Sequence, residues 1–368
     1  MGTGIVSVLL YFIPFHARWT YYLSIIFFVL NIAIFSLALL TTILRYALYP
    51  EIWSVMIDDP RASLFLGTIP MAFATIIEMV VFICVPVWGE WCITFAWALW
   101  MIDAVASAGV TISLVFILIS SENTTQLSAI TAVQLLPIAA TIVAAGTGAE
   151  VAEVLPNPNH ALGTIMTSYV LWGMAMPLAM TVLVIYFHRL AVHKLPPREL
   201  IVSCFLPLGP LGFGGYTIMY LGMVARKVLP QTGTLPPNSE LAGEVLYVLG
   251  FIVALVLWGF GLMWLAIAVA AIYRSRPFPF NMGWWGFTFP LGVYSASTIQ
   301  IGLEMPSLFF KVLGTIFSVC VVLLWVVVAL GTVRGAKSGE LFNAPCLANL
   351  PVELVDKGKV EKSSGKAA

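Results

Sequence analysis

Five runs of this sequence share a small vocabulary of glycine, threonine and, in all but the first, proline, set within apolar stretches. They are Met1-Gly-Thr-Gly-Ile-Val-Ser, Gly67-Thr-Ile-Pro-Met-Ala-Phe-Ala-Thr-Ile, Leu136-Pro-Ile-Ala-Ala-Thr-Ile, Leu206-Pro-Leu-Gly-Pro-Leu-Gly-Phe-Gly-Gly-Tyr-Thr-Ile and Phe287-Thr-Phe-Pro-Leu-Gly-Val-Tyr-Ser-Ala-Ser-Thr-Ile. Proline interrupts helical hydrogen bonding, and in hydrocarbon a freed backbone group must face protein or a water-filled path. Backbone N–H groups freed near Pro70, Pro137, Pro207, Pro210 and Pro290, with hydroxyls such as Thr75 and Thr141, can attract an anion weakly at many points. Weak, distributed attraction suits conduction, because an ion held tightly does not leave. These residues and Phe213 are the candidate pore lining. Phe289 directly precedes a helix-breaking proline, where its ring either packs between helices or projects into a lumen.

Acidic residues at membrane depth are the second chemical signal. Glu78 and Asp103 lie well inside apolar stretches, and Glu150 and Glu153 lie toward the end of theirs. An Asp at a helix centre costs roughly 2.5–3.5 kcal/mol on insertion scales, so such groups face protein or a cavity. Asp103, on a plain stretch, is expected to find a structural partner such as a hydroxyl or a freed amide. Glu78 and Glu150 are on proline-bearing stretches, where a permanent negative charge would repel an anion; each is expected to be neutral or outside the narrow part. Glu78, eight residues or about two turns beyond Pro70, is the candidate for proton coupling. The four histidines (His16, His160, His188, His193) fall in short connections and read as solvated or interfacial. Neither they nor the scattered cysteines have metal-ligand or redox spacing, so no metal or cofactor is expected. No nucleophile–base constellation speaks for an enzyme.

The elements that must position these residues follow from apolar length. The chain is 61% hydrophobic and 9% charged, against about 25% charged in ordinary soluble domains. A membrane helix needs about 20 apolar residues, and such spans fall at 21–44, 64–87, 92–120, 131–155, 162–187, 201–224, 246–273, 283–302 and 308–333. A first stretch at 4–13 is too short to cross, which implies a first helix that is short or begins before the given sequence. Plain spans alternate with broken ones, and the runs recur roughly 65–80 residues apart, about one helical hairpin. The fold class is therefore an all-α integral membrane protein, with an outer ring of plain helices around an inner ring of broken ones. Residues 1–333 form one ten-helix domain and 334–368 a polar, disordered cytoplasmic tail. Thirteen of the 17 Lys and Arg fall in the tail or in connections on one side, placing both termini in the cytoplasm. The acceptor-like Asn123-Thr-Thr then faces the cytoplasm and goes unglycosylated. Basic and acidic residues balance at 17 each, so nothing speaks for nucleic acid.

Four ordered motifs carry a family resemblance. Gly283-Trp-Trp-Gly-Phe-Thr-Phe-Pro-Leu-Gly resembles the ninth-helix signature of the tellurite-resistance/dicarboxylate transporter family. Met1-Gly-Thr-Gly-Ile-Val-Ser, Asp59-Pro-Arg-Ala-Ser-Leu-Phe-Leu-Gly-Thr-Ile-Pro-Met-Ala and Leu206-Pro-Leu-Gly-Pro-Leu-Gly-Phe-Gly-Gly resemble its first, third and seventh helices. The ninth-helix run, with Ser338-Gly-Glu-Leu-Phe-Asn-Ala-Pro-Cys-Leu, is most similar to the fungal sulfite efflux pumps of that family. The resemblance implies ten helices in five hairpins around a central pore in each subunit, a homotrimer, and occlusion of the pore by Phe289. It implies a plasma-membrane exporter of a small inorganic anion, sulfite or bisulfite. The alternatives within the family are a malate or C4-dicarboxylate permease and a regulated anion channel. A dicarboxylate site would favour cations in the path, and the broken spans offer none.

Overall fold

Apolar length and burial part company along this chain. Eight helical segments are long and apolar enough to cross a membrane, and they are of two kinds. In Ser63–Trp88, Ala132–Val154 and Arg198–Thr232, between 67% and 94% of the most apolar window is buried. In Arg18–Leu48, Glu90–Ser120, Pro158–His193, Ser239–Arg274 and Leu308–Ser338 the share is 17% to 33%. The first kind is inner and the second presents its apolar side chains outward, where only lipid is a suitable solvent.

The structure is a computed structural model that describes residues 1–15, 17–59, 62–120, 126–339 and 341. Among these the chain is all-α: α1 (Gly2–Phe12), α2 (Arg18–Leu48), α3 (Glu51–Asp58), α4 (Thr68–Met79), α5 (Val85–Trp88), α6 (Glu90–Ser120), α7 (Leu135–Val154), α8 (Pro158–His193), α9 (Leu208–Thr232), α10 (Ser239–Arg274), α11 (Thr288–Glu304) and α12 (Leu308–Ser338). A π-turn, Val80–Cys84, joins α4 to α5. The short helices α1 and α11 are as buried as the long inner ones. α1 packs on α4, α4 on α7, α7 on α9, α9 on α11 and α11 back on α1, which closes a ring. Each outer helix fills the groove between two inner neighbours: α2 between α1 and α4, α6 between α4 and α7, α8 between α7 and α9, α10 between α9 and α11, and α12 between α11 and α1.

The prolines correct one expectation. They start the inner helices and do not break them. Pro70, Pro137, Pro210 and Pro290 are each the third residue of α4, α7, α9 and α11, and each helix is entered through a 3-10 turn. The first four N–H groups of a helix have no intrahelical partner, so a missing one there costs no hydrogen bond. Pro86 is different, because it cannot donate to the carbonyl four residues back. Tyr11 of α1 supplies that bond instead, its hydroxyl lying 3.3 Å from Phe82 O.

Every groove between the rings holds one side-chain N–H bond, alongside hydroxyl bonds such as Ser7 Oγ to Ser24 O at 2.7 Å. Every outer helix donates a side-chain N–H to the next inner helix around the ring. The five donations are Asn31 Nδ2 to Thr75 Oγ1 (3.1 Å), Trp100 Nε1 to Ala144 O (2.8 Å), Trp172 Nε1 to Gly214 O (2.9 Å), Trp258 Nε1 to Thr298 Oγ1 (2.9 Å) and Trp325 Nε1 to Thr3 Oγ1 (3.1 Å). Glycine allows the close approach inside the ring. A Cβ on Gly212 would stand 2.7 Å from Tyr294 Cα, and one on Gly67 2.7 Å from Leu136 O, so α9 meets α11 and the start of α4 meets α7 backbone to backbone.

Some expectations shift at the edges. His188 and His193 lie exposed on α8 itself, and His160, in its first turn, stacks on Trp97 at 4.7 Å. Arg189 is buried at the end of α8 and donates to Ser128 O and Lys194 O (2.6 Å to the latter). α12 continues through Ser338, so the first residues of the polar tail are helical. His16, the Asn123-Thr-Thr segment and the tail from 342 lie outside the described residues.

Losing one of the ring-to-ring bonds removes a buried hydrogen bond between helices, at a cost of about 1 kcal/mol. Trp100→Phe and Trp172→Phe should therefore each lower the thermal-unfolding midpoint in detergent. Trp91→Phe, at an exposed site, should not. Equal losses from all three would show that ring size, and not the indole N–H, is what matters.

Candidate functional site

The inner helices run parallel, because their N-terminal ends meet around one cavity and their later turns around another. The first is a vestibule of about 730 Å3. Thr3 of α1, Thr68 and Ala72 of α4, Leu136 of α7, Leu206 just before α9 and Gly286 just before α11 all line it, with Phe35 and Ala38 from α2. Helix N-termini carry partial positive charge, so five of them converging make this an electropositive mouth without any basic side chain. Among the described residues its lining holds one acid, Glu199, and no Lys or Arg.

The second cavity is about 10 Å3, room for about one water. All five inner helices contribute to it: Ile5, Val8 and Phe12 from α1, Glu78 from α4, Glu150 from α7, Phe213 and Tyr216 from α9, and Ala296, Ile299 and Gln300 from α11. It therefore lies on the ring's axis. The two cavities share no lining residue. Along the chain the vestibule lining reaches Gly286, just before α11, and the axial cavity begins at Ala296; Phe289, buried, falls between them and borders neither. The Phe213 ring lies so close on Gly146 of α7 that no Cβ would fit there.

Carboxyls and hydroxyls cluster at and around the axial cavity. Thr147 Oγ1 lies 3.2 Å from Glu78 Oε1, and Tyr216 OH donates to Glu150 Oε1 at 2.8 Å, leaving Glu150 Oε2 buried without a partner. Tyr220 donates to Glu153 Oε2, and Lys227 Nζ reaches Glu153 Oε1 at 2.6 Å near the exposed end of α9. Gln300 Nε2 donates to Glu304 Oε1 at 3.0 Å. No Lys or Arg lies within α1, α4, α7 or α11, and those of α9, Arg226 and Lys227, are exposed near its end.

Of the residues singled out from the sequence, this arrangement brings Phe213 and Glu78 to the axial cavity together. The prolines Pro70, Pro137, Pro207, Pro210 and Pro290 border neither cavity and lie at the starts of the inner helices. The two threonines turn outward. Thr75 accepts from Asn31 of α2, and Thr141 bonds Thr111 Oγ1 (2.7 Å) and Ser107 O (3.1 Å) of α6. Asp103 lacks the expected partner: both its oxygens are buried with no hydrogen bond, close enough to Glu78 for their charges to interact. Sequence reasoning missed Tyr216, Thr147 and Gln300. Tyr216 stands late in the fourth run, three residues beyond Phe213, and Gln300 directly follows the fifth run.

A profile of the SLAC1 family, described as voltage-dependent anion channel, matches residues 1–333. The chain belongs to the SLAC1 family. It is 50% identical over 342 residues to the sulfite efflux pump SSU1 of Arthroderma otae, covering 93% of this chain and 90% of that protein. Identity to the SSU1 protein of Trichophyton rubrum is 49% over the same length and shares. The malic acid transport protein of Schizosaccharomyces pombe is more distant, 24% identical over 351 residues, 93% of this chain and 77% of that one. The family consists of transporters and channels, so this SLAC1 chain is a multi-pass membrane transport protein and not an enzyme.

The Phe213 ring borders the axial cavity and bears on α7, so shortening it should widen that cavity. Phe213→Ala should raise anion conductance in planar bilayers roughly tenfold, as expected when a hydrophobic constriction widens. A variant that assembles normally with unchanged conductance would assign Phe213 to helix packing alone.

Proposed function

We propose that this protein exports sulfite or bisulfite across the plasma membrane through the axis of the inner ring, with Phe289 as the gate. What supports the substrate is the 50% identity, over 93% of the chain, to proteins named as sulfite efflux pumps. What supports the route is the pair of cavities, one at the N-terminal ends of the inner helices and one lined by all five of them, with Phe289 between the two along the chain. An electropositive mouth gathers anions, and an axis without basic side chains does not trap them. The chain crosses the bilayer ten times in five hairpins, keeps both termini in the cytoplasm and assembles as a homotrimer. The vestibule then faces the cytoplasm, the side from which an exporter loads. Glu78, at the axial cavity, links flux to the proton gradient. The dicarboxylate reading is weaker here, because no cation on the axis would meet a second carboxylate.

Anion flux in proteoliposomes tests these readings together, with sulfite, malate, nitrate and chloride compared across imposed pH gradients. Sulfite should move, and faster in Phe289→Ala without change of oligomer. Nitrate keeps its charge at every pH, so a pH-gradient effect on its flux that is lost in Glu78→Gln would tie coupling to that residue. Movement of malate without sulfite would overturn the substrate. An assembled Phe289→Ala with unchanged or lower flux would remove Phe289 from the gate, and an unaltered pH profile in Glu78→Gln would leave passive movement.

A further inference from the structure

We propose that Glu78 and Glu150 form a charge filter on the axis that passes monovalent anions and excludes dianions, so that the species exported is bisulfite and not the sulfite dianion. The proposal rests on the sulfite reading for its substrate, but the filter itself concerns charge alone.

The axial cavity is a small space at which all five inner helices meet, and its lining is part apolar and part polar. Ile5, Val8, Phe213 and Ile299 make it apolar, while Glu78, Glu150, Tyr216 and Gln300 are its polar groups. An ion crossing here leaves most of its hydration behind. The cost of moving an ion into a low-dielectric surround grows with the square of its charge, so a dianion meets about four times the penalty of a monoanion. A basic side chain could offset this, and among the described residues none lines the cavity. The titratable groups that act on Glu150 are acids and phenols: Glu78 on α4, Glu153 on α7 itself, and Tyr216 and Tyr220 on α9. The nearest cation, Lys227, is already paired with Glu153 near the exposed end of α9.

Ionised carboxyls repel a dianion twice as strongly as a monoanion, which adds to its greater desolvation cost. A second observation points to a ligand with a proton of its own. Glu150 Oε2 is buried, has no hydrogen-bond partner, and belongs to a residue that lines the cavity, while Oε1 is taken by Tyr216. A buried oxygen of this kind requires a donor. Water can supply it, and so can the O–H of a hydrogen oxyanion; the bare dianion cannot.

The test uses the full protein in liposomes and reads initial rates for nitrate and sulfate, anions of fixed charge, and for sulfite across a pH series. The wild-type protein should move nitrate at least roughly a hundred times faster than sulfate, a difference of about 2.7 kcal/mol. Sulfite flux should fall as pH rises, in step with the bisulfite fraction. In Glu78→Gln/Glu150→Gln, with assembly checked by size-exclusion chromatography, the sulfate-to-nitrate ratio should rise roughly tenfold as the carboxyl repulsion is lost. Sulfate moving as fast as nitrate through the wild type would overturn the filter without any variant having to fold. An unchanged ratio in the assembled double variant would overturn its assignment to these two residues. Nitrate passing while sulfite does not, at any pH, would instead sink the sulfite reading and leave the filter standing.

Discussion

The inner ring cannot stand alone in lipid, and one side-chain N–H per groove is what joins it to the helices that can. Helices rich in Gly, Thr and Pro have little side-chain bulk with which to pack, and some of their hydroxyls and carbonyls need donors from outside. Asn31, Trp100, Trp172, Trp258 and Trp325 provide one each, from five different outer helices to the next inner helix in order. The last of these, from α12 to Thr3 of α1, closes the circle between residues 322 apart in sequence. Because indole is large and apolar apart from that one N–H, it fills the groove and satisfies the acceptor at once. The axis is left to the inner faces.

That division of labour explains the character of the path. Hydroxyls that might have lined it are used elsewhere: Thr75 and Thr141 bond outward to α2 and α6. What remains around the axial cavity is apolar surface, the rings of Phe12 and Phe213, and the polar groups of Glu78, Glu150, Tyr216 and Gln300. At the opposite end, five parallel helix N-termini surround the vestibule and supply diffuse positive potential.

The alternation of plain and broken spans was enough to foresee two concentric rings, since burial follows it helix by helix. The proline positions were legible, yet their meaning was not. A proline in an apolar run reads as an interruption until the 3-10 turn before it is seen, and then it is a helix start. The threonines misled for a related reason: a hydroxyl in a pore-class helix can turn to either side, and helical position relative to neighbours is set by packing. The tryptophan series was visible at 100, 172, 258 and 325, but aromatic residues are so common in these spans that their spacing carried no weight without the partners. Asp103 remains the clearest divergence. A buried acid was expected to be satisfied, and this one faces Glu78 with no hydrogen bond.

The central claim is that one axial route runs from the vestibule to the carboxyl cluster and is closed by Phe213 and Phe289. Thiol labelling at Ala296 tests it directly, because that residue begins the axial cavity on α11. A cysteine at Ala296, in a background with the native cysteines replaced, should resist a water-soluble reagent applied from the vestibule side while both rings are present. It should label rapidly from that side when both phenylalanines are alanine. Labelling from the vestibule with both rings in place, or persistent protection after both are removed, would contradict the account.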